Sequence, residues 1–278
     1  MTPRDLLKSA SRRLADAGVT DPEVDASLLL SDILGKPPLF LRLDTDTIIS
    51  EEALAIFESR LQRRLAREPL QYILGTVPFQ GLTLKADARA LIPRPETSLL
   101  VDWAVACLSA FSAPRVLDLC CGTGCIGLSI RNKCPDALVT LSDLSPHAVS
   151  LSRENAQFLQ LPVEVCQGDL FAPFADRRFH MIVSNPPYIA SAACLTLQQE
   201  VLREPLMALD GGTDGLDFYR RIAAEAPQHL FPDGLLLFEL GDSEAEGVQR
   251  LLQASGGKRT EIRKDLAGKE RMILAEYP

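Results

Sequence analysis

Long apolar runs are absent from this sequence of 278 residues. The longest, such as residues 234–238, fall far short of the ~20 residues that a membrane span needs, and residues 1–5 lack the cationic-then-apolar layout of a signal peptide. The seven cysteines form no CxxC pair, so neither a disulfide framework nor a zinc site is favoured. We therefore expect a reduced protein of the cytoplasm that holds no metal and binds no membrane.

An excess of positive charge is missing as well. Lysine and arginine number 29 against 37 aspartates and glutamates, which gives a formal net charge of -8. Proteins that bind nucleic acid irrespective of its sequence depend on neutralising phosphates, so this balance argues against direct nucleic-acid binding of that kind. Hydrophobic residues make up 46% of the chain and charged residues 24%, which is an ordinary mix for a folded globular protein.

The chain divides by pattern into three parts. Residues 1–70 are predicted to be a helical bundle, with helices bounded by N-caps, prolines and glycines at residues 2–18, 21–35 and 50–69. Residues 71–97 are predicted to be a connector, with the short strands of a hairpin at 79–84 and 90–92 followed by Pro93-Arg94-Pro95. Residues 98–278 form the third part.

Strands and helices alternate through residues 98–278. We expect strands at 115–119, 137–141, 163–165, 179–183, 235–240, 260–262 and 271–275, and helices at 125–132, 146–158, 218–230 and 244–254. Alternation at this spacing predicts a mostly parallel, doubly wound sheet. The fold class is therefore α/β: a Rossmann-like domain preceded by a small all-helical domain.

A glycine-rich turn joins the first strand of this domain to its helix. Gly122-x-Gly124-x-x-Gly127 matches the dinucleotide fingerprint, which by itself is a weak signal. A structural turn, a nicotinamide or flavin dinucleotide site and an S-adenosylmethionine site all remain open. Asp118 beside the turn favours the last, because a carboxylate suits a cationic sulfonium and disfavours a pyrophosphate. Asp143, at the end of the next strand, is expected to accept hydrogen bonds from ribose hydroxyls.

Asn185-Pro186-Pro187-Tyr188 follows the fourth strand, where α/β folds place their sites. This arrangement suits methylation of a planar NH2 group. The side-chain oxygen of Asn185 and the backbone carbonyl of Pro186 can each accept one of its N–H bonds, and Tyr188 can stack on the planar group. Asp169-Leu170, after the third strand, is equally consistent with a plain turn and with a contact to adenine.

These motifs together resemble the release factor glutamine methyltransferase family, over nearly the whole chain. The segments that carry the resemblance are Glu68 to Gly75, Leu91 to Thr97, Asn185 to Tyr188, Glu204 to Tyr219 and Lys264 to Arg271. The resemblance implies methyl transfer from S-adenosylmethionine to the glutamine N5 of the Gly-Gly-Gln motif in peptide chain release factors, which modulates translation termination. It also implies that the helical N-terminal domain helps to hold the release factor.

The resemblance also assigns site residues. It implies that the run Cys120, Cys121, Gly122, Thr123 and Gly124 lines the methionine end of the cofactor, that Asp143 holds the ribose and that Leu170 packs near the adenine. It implies that Asn185 contacts both cofactor and substrate, with Pro186, Pro187 and Tyr188 completing the amide pocket. The sequence departs from the family pattern at Cys120-Cys121, where Gly-Thr is common, at Leu170, where some members have an aromatic, and at Ser98, where an acid is common.

Two other functions are consistent with parts of the pattern. An adenine-N6 methyltransferase would use the same amino-group chemistry, but it needs a basic groove and a means of extruding the base. A non-catalytic adaptor would bind a partner through the helical domain alone. The one conspicuous basic cluster lies on one face of the third predicted helix and comprises Arg60, Arg63, Arg64 and Arg67. It is interpreted as a solvated face, a docking face for a release factor or a nucleic-acid contact.

Overall fold

Caps and prolines set the helices of the N-terminal part in the computed structural model, which describes all 278 residues. These helices are α1 (Pro3–Asp16), α2 (Pro22–Leu34), α3 (Pro38–Leu43), α4 (Glu51–Leu65) and α5 (Leu70–Leu74). The Thr2 hydroxyl accepts a hydrogen bond from the N–H of Asp5, and Ser50 caps α4 in the same way. The short helices α3 and α5, each preceded by a proline, are additions to the three predicted helices.

The chain forms two compact units, and the first is not continuous in sequence. It comprises Met1–Thr76 and Gln198–Arg203, whereas the second comprises Val77–Leu197 and Glu204–Pro278. The sequence analysis set its first boundary after residue 70 and did not foresee the contribution of residues 198–203. Apolar side chains from the helices form the core of the first unit, including Leu14, Leu29, Leu30, Phe57 and Leu61.

The predicted arginine cluster is paired with carboxylates of its own unit, and its last member, Arg67, lies beyond the end of α4. Arg64 is only 6% exposed and pairs with Asp25 at 2.7 Å and with Glu200 at 2.9 Å. Arg67 also pairs with Glu200. The other two members, Arg60 and Arg63, pair with Asp32 and Glu68 respectively. The cluster is therefore an internal ion-pair network, and it lacks the unpaired cations that a nucleic-acid contact requires.

The connector differs from the predicted hairpin. The two strands are β1 (Thr76–Phe79) and β2 (Leu82–Lys85), and the turn between them has positive φ at Gln80 and Gly81. Two consecutive left-handed residues are typical of a tight type I′ hairpin turn, so the prediction of a single strand at 79–84 was wrong. Residues 90–92 form no strand, because the N–H of Ile92 bonds to a side chain at 2.9 Å.

The second unit contains the predicted α/β sheet. Its strands are β3 (Arg115–Leu119), β4 (Leu138–Asp143), β5 (Glu164–Gln167), β6 (Phe179–Ser184), β7 (Leu230–Glu239), β8 (Arg259–Lys264) and β9 (Glu270–Glu276). Its helices are α6 (Thr97–Leu108), α7 (Cys125–Lys133), α8 (Pro146–Phe158), α9 (Ser191–Cys194), α10 (Asp217–Glu225) and α11 (Ala245–Ala254). The helix predicted at 218–230 ends earlier, because Pro227 cannot continue it.

The strand order is β5-β4-β3-β6-β7-β9-β8, parallel from β5 to β7, with β9 antiparallel to both of its neighbours. This confirms the predicted doubly wound Rossmann-like fold. Because β3 lies between β4 and β6, the chain order reverses there, and ligands bind at the carboxyl ends of strands beside such a switch point. None of the helices has the length and apolarity needed to cross a membrane.

Candidate active site

The glycine loop turns sharply at the end of β3. Cys120, Gly122 and Gly124 have φ values of 57°, 54° and 82°, all in the left-handed region. Gly124 forms the N-cap of α7, and its N–H donates to the carbonyl of Cys121 at 2.7 Å. Glycine takes up such φ values without steric cost, whereas Cys120 does so at a cost of about 1–3 kcal/mol.

Asp118 supports this loop from the side away from the cavity, through a hydrogen bond to α7. The side chain is completely buried, its Oδ2 accepts a hydrogen bond from the N–H of Gly127 at 2.8 Å, and it does not line the cavity. Burial raises its pKa to about 8. The third glycine of the fingerprint is explained by packing, since a Cβ on Gly127 would lie 2.2 Å from the side chain of Leu141. The structure thus gives Asp118 a loop-holding position, where the sequence suggested a direct contact with the ligand.

Asp143 occupies the end of β4 and faces the cavity. Its Oδ2 accepts from the N–H of Gly122 and its Oδ1 from the N–H of Ser145, each at 2.9 Å. Burial raises the pKa of this carboxyl. A carboxylate oxygen accepts more than one hydrogen bond, so each oxygen keeps acceptor capacity for a ligand hydroxyl.

A cavity of about 430 Å³ lies at this edge of the sheet, within the range of roughly 300–1,000 Å³ of small-molecule sites. Eight of the sequence-predicted site residues line it: Cys120, Cys121, Gly122, Thr123, Asp143, Leu170, Asn185 and Pro187. Four do not: Asp118, Gly124, Pro186 and Tyr188. Side chains alternate along extended backbone, which accounts for the pattern from Asn185 to Tyr188. Gly124 packs against Leu128 and Leu141 instead.

The charges around the cavity favour a cationic ligand. Both arginines of the lining are already paired, Arg89 with Asp87 and Glu154 and Arg94 with Glu204. Asp143 and Asp210 line the cavity without a cationic partner. An apolar cavity with unpaired carboxylates fits the sulfonium and ammonium of S-adenosylmethionine and disfavours the pyrophosphate of a dinucleotide.

Asn185 is held by a residue that the sequence analysis missed. Its Nδ2 donates to Oε1 of Glu239 at 2.9 Å, and Glu239 is 1% exposed. Burial raises the pKa of Glu239 to about 7. The parallel register of β6 and β7 pairs Ser184 with Phe238, which brings the next residue of each strand together. The available signal was an acidic residue within an otherwise apolar run, Leu235 to Leu240.

The backbone after Asn185 is clamped by a glycine-rich segment. The N–H of Ile189 donates to the carbonyl of Leu209, and the N–H of Gly211 donates back to Ile189. A Cβ on Gly211 would lie 2.7 Å from both the carbonyl oxygen of Pro187 and the Cα of Tyr188. This glycine therefore permits a close approach to the Asn-Pro-Pro-Tyr backbone.

Gly211→Ala is therefore expected to displace that backbone and lower turnover by roughly tenfold, because small misplacements of positioning groups are costly to catalysis. Overpacking of this kind costs about 1–3 kcal/mol of stability. The matched control is Gly247→Ala in α11, where the added Cβ meets only the flexible side chain of Leu216. Equal turnover in the two variants, measured at equal folded fraction by thermal melting, would contradict a positioning effect.

The opposite wall of the cavity depends on Glu204, whose side chain is buried. Its Oε2 accepts from the N–H of Ile92 at 2.9 Å and its Oε1 from Arg94 at 2.5 Å. The sequence analysis identified both segments, around residues 92 and 204, but not the hydrogen bond between them, which joins residues 112 positions apart. Phe218 of α10 and Thr97 of α6 are further lining residues that it did not identify.

Comparison with known proteins identifies relatives over the whole length. The chain matches the PrmC N-terminal domain over residues 5–75 and the methyltransferase small domain over residues 97–214. It is 44% identical to the release factor glutamine methyltransferase of Deinococcus radiodurans over 99% of this chain and 98% of that protein. The corresponding protein of Moorella thermoacetica is 38% identical over 99% of this chain and 98% of its own length.

A solved structure of much lower sequence identity shares the fold. The T. thermophilus 16S rRNA methyltransferase RsmC, in complex with AdoMet and guanosine, is 17% identical and matches 73% of this chain and 50% of its own with a TM-score of 0.54. At this identity the likeness concerns the fold alone.

Proposed function

Because the chain belongs to the release factor glutamine methyltransferase family, we propose that it transfers a methyl group from S-adenosylmethionine to N5 of the glutamine in the Gly-Gly-Gln motif of peptide chain release factors. The observation that carries the proposal is the position of Asn185. It lies at the carboxyl end of β6 and lines the same cavity as the glycine loop and Asp143. Amide recognition and cofactor binding thus share one site.

The cofactor-binding roles follow from the lining residues. Cys120, Cys121, Gly122 and Thr123 would surround the methionine end, Asp143 would accept from the ribose hydroxyls, and Leu170 would pack near the adenine. Asp118 and Gly124 would act through the loop, which they hold in place. When bound, S-adenosylmethionine supplies an electrophilic methyl carbon on a cationic sulfur.

The substrate amide is a poor nucleophile, since its nitrogen lone pair is delocalised into the carbonyl. Asn185 can present its Oδ1 to this amide, because its Nδ2 already donates a hydrogen bond to Glu239. The backbone carbonyl of Pro186 would accept the second N–H of the amide. Two fixed acceptors orient the nitrogen and favour its rehybridisation as positive charge develops. Pro187 would flank the planar group, whereas Tyr188, which lies outside the cavity lining and packs against the core, would hold the backbone of the motif in place.

The helical unit would hold the release factor, and the reaction would take place in the cytoplasm, where release factors act. The -8 net charge and the paired state of the arginine cluster support a protein substrate over nucleic acid. Methylation of the Gly-Gly-Gln glutamine would modulate translation termination.

The direct test is mass spectrometry of a purified release factor incubated with this protein and S-adenosylmethionine. We expect a gain of one methyl on the Gly-Gly-Gln glutamine, and none on a factor whose glutamine is replaced by glutamate. Methylation of added nucleic acid in place of the factor would favour adenine-N6 transfer. Cofactor-independent capture of the factor, with no transfer to any acceptor, would favour an adaptor.

A further inference from the structure

Glu239 is buried beside Asn185 and hydrogen-bonds to it, but it is not among the site residues predicted from the sequence. It is the last residue of β7, and its backbone carbonyl accepts a hydrogen bond from the Tyr219 hydroxyl at 2.7 Å. Its Oε1 accepts from Nδ2 of Asn185, and its Oε2 is also buried. A buried carboxylate costs folding free energy, so a function that requires the charge accounts for its presence here.

We propose that Glu239 is a positioning residue for methyl transfer, which fixes the amide of Asn185 with its oxygen toward the substrate. This inference rests on the proposed function. An ionised carboxylate only accepts hydrogen bonds. It therefore selects the Nδ2 end of the Asn185 amide and repels the Oδ1 end. A flipped Asn185 would present N–H donors to the substrate NH2 group and could not accept from it.

The carboxylate also strengthens Asn185 as an acceptor. A hydrogen bond to a charged group is stronger than one between neutral groups, and linked hydrogen bonds polarise one another in a low-dielectric interior. Donation from Nδ2 to Glu239 thereby increases the negative charge on Oδ1. Oδ1 then better stabilises the positive charge that develops on the substrate nitrogen.

The protonation state of Glu239 determines whether its carboxyl accepts a hydrogen bond from Asn185 or donates one to it. A protonated carboxyl can donate to Oδ1 of Asn185 and so favour the flipped amide.

Burial, the largest effect, raises the pKa of Glu239 to about 7. Glu96 at the start of α6 raises it further, whereas Thr97, Arg271 of β9 and Asn185 lower it. The neighbouring groups whose own pKa values its charge raises are Cys125, Tyr188 and Tyr219. Turnover should consequently rise with pH through about 7.

The test is Glu239→Gln, a change of nearly equal shape. Glutamine can both accept and donate, so it no longer selects one orientation of Asn185. We expect kcat to fall roughly 10- to 100-fold, as for other groups that orient a reacting residue. The KM for the release factor and the Kd for S-adenosylmethionine should change less than about threefold. The acid limb of the kcat profile, measured at saturating cofactor, should disappear.

Tyr219→Phe is the matched control, because it removes the hydrogen bond to the backbone of Glu239 and leaves the carboxylate in place. It should lower the melting temperature and keep the acid limb. If Glu239→Gln does not fold, Thr97→Val provides the alternative test of the role of Glu239. Loss of the hydroxyl that lowers the pKa of Glu239 should move the limb to higher pH, and an unmoved limb would overturn the proposal.

The two proposals fail in different ways. A wild-type protein that methylates no release factor would refute the proposed function. A wild-type protein that does so, with a Glu239→Gln variant of unchanged kcat and unchanged acid limb, would refute only the role of Glu239.

Discussion

Asn185→Ala is expected to abolish most turnover, with kcat lowered roughly 10²- to 10³-fold, while S-adenosylmethionine still binds. The magnitude corresponds to about 2.7–4 kcal/mol, as found when one preorganised hydrogen-bonding group is removed from an active site. The effect should fall on kcat, because Oδ1 interacts most strongly with the amide as positive charge develops on its nitrogen. Single-turnover mass spectrometry of the release factor measures the rate of methyl transfer, and calorimetric titration of the cofactor measures its Kd, so the two effects are separated.

This variant also leaves the carboxylate of Glu239 without its donor. A buried acceptor left unsatisfied costs about 1–3 kcal/mol, so part of the lost activity could reflect unfolding. The double variant Asn185→Ala with Glu239→Gln removes the uncompensated charge. It should regain the melting temperature and remain inactive. A double variant that regains turnover would show that Asn185 has no part in the chemistry.

Asp143→Ala is expected to weaken cofactor binding by about 10- to 150-fold, which corresponds to roughly 1.5–3 kcal/mol for hydrogen bonds to a charged group. Because Asp143 also binds the N–H groups of Gly122 and Ser145, a disordered loop could produce a similar loss. The two causes are separated by titrating S-adenosylhomocysteine and its 2′-deoxy analogue.

The wild-type protein should discriminate against the deoxy analogue, and Asp143→Ala should bind both ligands with similar Kd values. Continued discrimination by the variant would show that Asp143 supports the loop and does not contact the ribose.

Local signals explain which parts of the fold the sequence could predict. β3 and α8 match their predicted bounds, because apolar runs and the Ser145-Pro146 cap mark them within a few residues. The glycine loop and the Asn-Pro-Pro-Tyr motif were recognisable for the same reason. Each depends on backbone geometry that a short stretch of sequence encodes, namely positive φ at glycine and the fixed φ of proline.

Contacts between distant segments explain what the sequence could not predict. Glu239 reaches Asn185 across 54 positions through the pairing of β6 with β7. Glu204 similarly bonds to Ile92 and draws residues 90–92 out of the predicted hairpin. Asp118 was expected to meet the ligand, but it is completely buried and bonds to Gly127 of α7. Glu239 leaves one local mark, since it is an acidic residue in an apolar run, but the neighbouring residues identify none of the partners.

The ion pairs of Glu200 have a consequence for dissecting the protein into fragments. A fragment cut after Thr76 retains every N-terminal helix but omits residues 198–203. Arg64 would then keep Asp25 as its single carboxylate, and Arg67 would lose its carboxylate and keep the carbonyls of Ala17 and Gly18. An excised N-terminal fragment is therefore a poor stand-in for the native unit in binding studies, unless the missing hexapeptide is grafted back.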